Sequence, residues 1–314
     1  MKKQYTMAGI TVLLWSTLSA VSKLLLNNFQ PMPVLFYTSG IAALTLLVIN
    51  IVLHGPGFFR IYSFNDYKKI LFLGTLGLFF YNALYYVGLS LLTSQIACII
   101  NYMWPMMIIL FSCIILKEPL TIRKLLSMTI SFLGMIVICT QGSTGSSSSG
   151  SLIGIAACFL AAICYGLYSV FNKKNNYDQF IMLFFAFMIS TVFSGIYCDI
   201  THTFFLPEIS VLPGMLWIGI FVNAIAYVLW GIALNSGQTA KISILAYLCP
   251  FLSLIFGKIL LKEQITFLSL VGLILIIGGV LIQIRESNHT ASYVTKDYIF
   301  GDRKSGSAGM PRPI

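Results

Sequence analysis

Apolar runs about twenty residues long, separated by short polar or charged clusters, follow one another along almost the whole chain. They cover residues 5–26, 33–53, 69–90, 94–116 and 122–140, then 151–172, 179–199, 212–234, 239–261 and 265–284. A helix needs roughly 20 apolar residues to cross a ~30 Å hydrocarbon core, so each run predicts one membrane span. The charge-free stretch 70–116 is too long for a single span, and the small polar residues between Leu91 and Ser94 are where it divides. The predicted fold is all-α and integral to a membrane, with ten transmembrane helices. Lys2 and Lys3 ahead of the first run resemble a signal peptide. However, Ser16, Thr17, Ser19 and Ser22 interrupt that run as they would in a helix facing a polar cavity, so it reads as a retained first span.

Composition changes little of this picture and charge adds orientation to it. The chain has 314 residues, 58% hydrophobic and 9% charged, against roughly 25% charged in a soluble domain. The net charge of +10 suggests nucleic acid only if read in bulk, because the basic residues sit between the apolar runs. Of the 19 Lys and Arg, all but Lys23, Lys258 and Lys262 fall on one side of a ten-span model. Basic residues are retained on the cytoplasmic side, so both termini are expected in the cytosol, with the protein in a bacterial inner membrane. The seven cysteines (Cys98, Cys113, Cys139, Cys158, Cys164, Cys198 and Cys249) lie in or beside apolar runs without CxxC spacing and read as small buried hydrophobes. Neither a metal site nor any other cofactor is expected. His54, His202 and His289 fall in loops or the tail, and no Asp or Glu is expected inside a span, so no catalytic constellation forms. The expected partners are a small-molecule substrate and the lipid bilayer, with no nucleic acid; a monomer suffices for this reading.

An internal repeat organises the ten spans. A shift of 145 positions lays Leu116-Lys117-Glu118 on Leu261-Lys262-Glu263. The same shift lays Tyr102 on Tyr247, Pro105 on Pro250, Phe111 on Phe256 and Gly134 on Gly279. The halves are residues 1–140 and 151–285, joined by a flexible Gly/Ser linker at 141–150 and followed by a polar tail, 286–314, read as disordered and cytoplasmic. Five spans per half is an odd number, so equivalent helices run in opposite directions. This inverted repeat suits alternating access around a central cavity, which favours a carrier over a channel or an intramembrane enzyme.

These residues resemble the ten-helix EamA type of the drug/metabolite transporter superfamily. The resemblance runs from about residue 6 to 285. It rests on Trp15-Ser16-Thr17, on Lys117-Glu118 and Lys262-Glu263 after spans 4 and 9, and on the proline in each of those spans. Asn101-Tyr102-Met103-Trp104-Pro105, Asn172-Lys173 and Ala226-Tyr227 with Trp230 are similar to the aromatic amino acid and paraquat exporter branch. The resemblance implies a basket in which spans 1–4 and 6–9 line the cavity, with spans 5 and 10 outside. It also implies export of small metabolites, amino acids among them and aromatic ones in particular; import or exchange of another metabolite, nucleotide-related or a cationic drug, is the alternative.

Polar and aromatic side chains at helical spacing supply the candidate site. Tyr81, Asn82 and Tyr85 in span 3 and Asn223, Tyr227 and Trp230 in span 8 form two stripes. With Trp15, Asn101, Tyr102, Trp104, Tyr165, Tyr168 and Tyr247 they are expected to wall a substrate pocket, offering ring faces together with hydroxyl and amide groups. Pro105 and Pro250, central in spans 4 and 9, are the candidate hinges, because each removes one helical hydrogen bond. Lys23 and Lys241, at span ends, either snorkel to headgroups or meet a substrate carboxylate.

Overall fold

The computed structural model describes residues 2–117, 121–139, 149–173, 177–234, 245–246, 248–279 and 281–282. Several helix starts carry their own signals. Ser63 and Asp66 form a capping box, Thr93 accepts from the Ile96 N–H, and the Asp178 carboxylate accepts from Phe180 and Ile181. Prolines stand in the first turn of the helices that begin at Pro31, Trp104 and Leu212, where the missing N–H has no partner to lose.

In the first half these signals set out α1 (Lys2–Leu26), α2 (Pro31–His54), α3 (Phe64–Gly74), a π segment (Thr75–Phe80), α4 (Tyr81–Leu91), α5 (Ser94–Asn101), α6 (Trp104–Ile115) and α7 (Ile122–Cys139). The second half holds α8 (Ser149–Lys173), α9 (Gln179–Ile200), α10 (Leu212–Leu216), a second π segment (Trp217–Ile225), α11 (Ala226–Leu234), α12 (Leu248–Leu261) and α13 (Phe267–Gly279). Among the described residues there are no strands. Seven helical stretches are long and apolar enough to cross a membrane, and shorter apolar helices at Met128–Val137, Leu248–Leu261 and Phe267–Gly279 lie where the other three spans are expected.

The two halves match at the predicted 145-residue shift in backbone as well as in sequence. Lys117 and Lys262 both adopt left-handed conformation, with φ of 55° and 57°. Residues 75–80 and 220–225 are both π-helical. Gly74 lies against α9, where an added Cβ would sit 2.9 Å from the Ala186 Cα, while Gly219 lies against α2, where it would sit 2.6 Å from the Ile41 Cβ. Ile41 and Ala186 are themselves 145 apart, so the contact between spans 3 and 7 recurs as the contact between spans 8 and 2. Likewise α4 packs on α8 and α11 on α1, and α6 packs on α8 and α12 on α1. The helices α2 and α9 pair with each other on the pseudo-twofold axis; there Ser39 and Ser190 share a hydrogen bond of 3.1 Å and Asn50 Nδ2 donates to the Phe180 carbonyl at 3.0 Å.

Three features differ from expectation. Span 3 starts at Phe64 rather than 69, because the capping box outweighs the two lysines that follow it. Asp66 therefore lies inside a spanning helix, and Asp199 in the last turn of α9, but both are at helix ends rather than mid-membrane. Span 4 is interrupted by a turn at Tyr102 and Met103, whose backbone stays near helical values (φ −68° and −72°), and Pro105 follows that turn. α5 stops at Asn101 and α6 starts at Trp104 with Pro105 in its first turn, while α12 begins at Leu248, two residues before Pro250. The left-handed lysines end α6 and α12 as a glycine usually would.

Candidate functional site

The turn at Tyr102 and Met103 faces a central cavity. It is lined by Trp15, Leu18 and Ser19 of α1, Tyr81 and Tyr85 of α4, and Cys98 and Asn101 of α5. Tyr102 and Trp104 at this turn, Tyr165 of α8, Tyr227 of α11 and Ala246 ahead of α12 complete it. Asn101 and Ala246 are repeat equivalents, so the same point of each half reaches the cavity wall.

Ring contacts make the walls continuous. On one side Trp15 meets Tyr227 edge-on at 5.2 Å and Trp230 at 5.3 Å. On the other, Tyr81 lies 6.2 Å from Tyr85 in parallel and 4.9 Å from Tyr165, and Tyr165 is 5.3 Å from Trp104. Asn101, 5% exposed, donates from Nδ2 to the Tyr81 hydroxyl at 3.0 Å. Its Oδ1 and the Trp15 Nε1 have no hydrogen-bond partner among the described residues. A buried polar atom left so is costly, and both belong to cavity-lining residues, where water or a polar substrate group satisfies them. The described lining residues include no Asp, Glu, Lys, Arg or His. The cavity has about 50 Å³ of space, room for a few waters but far below the ~300–1,000 Å³ of ligand pockets. Its walls must part to admit a metabolite.

Eight of the expected residues converge here: Trp15, Tyr81, Tyr85, Asn101, Tyr102, Trp104, Tyr165 and Tyr227. Four do not line the cavity. Asn82 turns back on its own helix, donating to the Leu78 carbonyl at 2.6 Å. Tyr168 points to Met182 between α8 and α9, with Oη 3.8 Å from Sδ. Asn223 is buried within the second π segment, and Trp230 sits behind Trp15 as a support. Tyr247 and Lys241 lie outside the described residues. Ser19, expected on a cavity-facing side of the first span, lines it, while Leu18, Cys98 and Ala246 join without having been singled out; Cys98 precedes Asn101 by three residues on the same helical face, the signal for it in the sequence.

Polar groups also cluster where α4 gives way to α5. The Lys23 ammonium donates to the carbonyls of Leu89 at 2.6 Å, Ser90 at 3.3 Å and Leu92 at 2.7 Å. Glu263 accepts from the Ser94 N–H at 2.7 Å, the Ser94 hydroxyl at 2.8 Å and the Gln95 N–H at 3.2 Å. Lys23 thus satisfies helix-end carbonyls and lies outside the cavity lining.

A multi-pass helical protein with an inverted repeat closing on a central cavity has the architecture of a membrane transporter. Comparison with known proteins agrees: the EamA-like transporter family matches residues 2–140 and 152–285, and the chain belongs to that family. A transporter of Archaeoglobus fulgidus, described as uncharacterized, is 22% identical over 286 residues, covering 90% of this chain and 99% of its own. One from Clostridium kluyveri, described in the same words, is 26% identical over 94% of this chain and 97% of its own. The aromatic amino acid exporter YddG of Ancylobacter novellus is 26% identical over 79% of this chain and 85% of its own. A crystal structure that superposes with a TM-score of 0.66, at 20% identity over 89% of this chain and 96% of that one, shares the fold.

Proposed function

We propose that this transporter exports small amphipathic metabolites, aromatic amino acids foremost, by alternating access between the halves 1–140 and 151–285. The observation that carries the reading is the cavity wall: seven Trp and Tyr side chains and one amide, with no ionisable carboxylate, amine or imidazole among the described lining residues. Such a wall suits a substrate that is apolar in its body and neutral overall. Ring faces stack on the side chain or receive an ammonium, while the Asn101 Oδ1 and Trp15 Nε1 offer one acceptor and one donor for a zwitterion. The name of the Ancylobacter novellus relative points the same way. Phosphorylated or nucleotide cargo fits less well, since nothing in the described wall neutralises a phosphate. Cationic drugs are the second reading, favoured by the ring cage alone.

Pro105, just after the turn at Tyr102 and Met103, and Pro250, in the first turn of α12, are the paired hinges in this scheme. The distribution of Lys and Arg supports an inner-membrane location with both termini cytoplasmic. The curated relatives are named as transporters, which supports a carrier and not an enzyme.

The test is counterflow in proteoliposomes. Labelled phenylalanine should accumulate transiently and saturably against preloaded unlabelled phenylalanine or tryptophan, which a channel does not do. Uptake driven only by a preloaded bipyridinium dication would replace the amino acid reading with the cationic one, and silence with every aromatic amino acid would remove the leading assignment.

A further inference from the structure

We infer that Glu263 is a positioning residue for transport: by capping α5 it holds one mouth of the cavity shut, and its release is a step of the cycle. The inference rests on the carrier reading but not on any particular cargo. Glu263 belongs to the second half, in the turn that follows α12, whereas its three donors all belong to the first half. Both carboxylate oxygens are engaged at the first turn of α5, where backbone N–H groups have no helical partners and the helix end is partially positive. These are charge-assisted bonds across the interface between halves, made at a favourable end of the dipole.

The local chain is shaped for this contact. Lys262 takes up left-handed conformation, φ 57°, and turns the chain so that the Glu263 N–H bonds the Gly257 carbonyl at 3.3 Å. Gly257 lets α12 come close: a Cβ there would lie 3.0 Å from the Ser94 Oγ and 3.2 Å from Glu263 Oε2. Immediately beside it, Lys23 of α1 satisfies the carbonyls at the end of α4. The turn between α4 and α5 is therefore fastened twice, its negative helix end by an ammonium from α1 and its positive one by a carboxylate from the opposite half.

What links this fastening to the site is the shortness of α5. Eight residues make a rod of about 12 Å. Glu263 holds its first residue, while Cys98 and Asn101, further along, line the cavity. The turn at Tyr102 and Met103 then separates its far end from α6. Letting go of Ser94 frees α5 to tilt, which moves the cavity wall and opens this mouth in one motion.

The experiment uses Cys98 as the reporter and needs no substrate. In the full-length protein with Cys98 as its sole cysteine, a membrane-impermeant methanethiosulfonate is added to one face or the other in oriented vesicles, and the labelling rate is measured. Glu263→Gln should speed labelling about tenfold from the face that carries the α4–α5 turn, the change expected for loss of one charge-assisted hydrogen bond, and leave the other face unchanged. An unchanged rate, or an equal rise from both faces as in a loosened fold, overturns the inference. If that variant does not insert, Ser94→Ala removes one donor while keeping the carboxylate, and a one-sided rise of about threefold is expected, with no rise overturning it. One-sided labelling combined with absent phenylalanine counterflow would reject the amino acid assignment and keep the latch.

Discussion

Gly219 is a position where the packing between the two halves leaves no room for a single added carbon. An alanine there puts its Cβ 2.6 Å from the Ile41 Cβ and 3.0 Å from the Thr38 carbonyl oxygen. Ordinary carbon–carbon contact is about 3.5–4.0 Å, so the second π segment and α2 must separate. Ile41 cannot yield by rotation, because the clash is at its branched Cβ rather than at the end of a flexible side chain. Overpacking of this kind costs about 1–3 kcal/mol. With an unfolding entropy of about 2.1 cal/mol/K per residue, that corresponds to a fall in melting temperature of about 2–5 °C for a chain this long. The buried cysteines Cys98, Cys158 and Cys249 supply the assay, since a thiol-reactive fluorophore reports their exposure as detergent-solubilised protein is heated. Gly9→Ala is the control, with nothing within 4 Å of the added carbon. Ile41→Ala should restore much of the loss in the Gly219→Ala background. Equal melting of Gly219→Ala and the parent, with the control also unchanged, would refute the close approach and with it the contact that pairs span 8 with span 2.

Trp15→Leu should raise the KM for phenylalanine counterflow about 2–13-fold, the equivalent of one aromatic contact of about 0.5–1.5 kcal/mol, with a smaller effect from Trp230→Leu because that ring supports Trp15 from behind. Asn50→Leu should shift melting by no more than about 2 °C, because an interhelical hydrogen bond within a membrane averages only about 0.6 kcal/mol; a larger loss would mean that the Asn50–Phe180 contact carries more of the α2–α9 pairing than its geometry implies. A reporter fused after residue 314 should be active only as a cytoplasmic fusion, and activity on the far side would invert the proposed orientation.

The positions of the spans were legible because membrane insertion imposes a length on apolar runs, and the Leu91–Ser94 break was visible as a few small polar residues inside one. The left-handed lysines were not. Nothing in Lys117 or Lys262 alone announces positive φ, and only their shared place in the repeat marks them as one device. One of the three span 3 stripe residues falls off the cavity for a geometric reason. Residues four apart, such as Tyr81 and Tyr85, share a face, whereas Asn82 lies one residue and about 100° further round and bonds its own helix. Pro105 marks the bend in span 4, but the bend itself falls at Tyr102 and Met103, one turn ahead, because Pro105 can start the following helical segment at no hydrogen-bond cost. Glu263 and Lys23 were visible as charges near span ends, but their partners are main-chain groups far away in sequence, which side-chain patterns do not reveal.

The turn in span 4 has an electrical consequence for the cavity. α5 ends and α6 begins at the wall, so a carbonyl-rich terminus carrying partial negative charge and an N–H terminus carrying partial positive charge stand a few residues apart. A zwitterion can align in that fixed field with no carboxylate, amine or imidazole among the described lining residues to neutralise it. Between about pH 5 and 8 such a field does not change sign or strength with proton concentration, as one built from histidine would. Among the described lining residues nothing adds a pH dependence of affinity in that range, which leaves the ionisation of the cargo as its source.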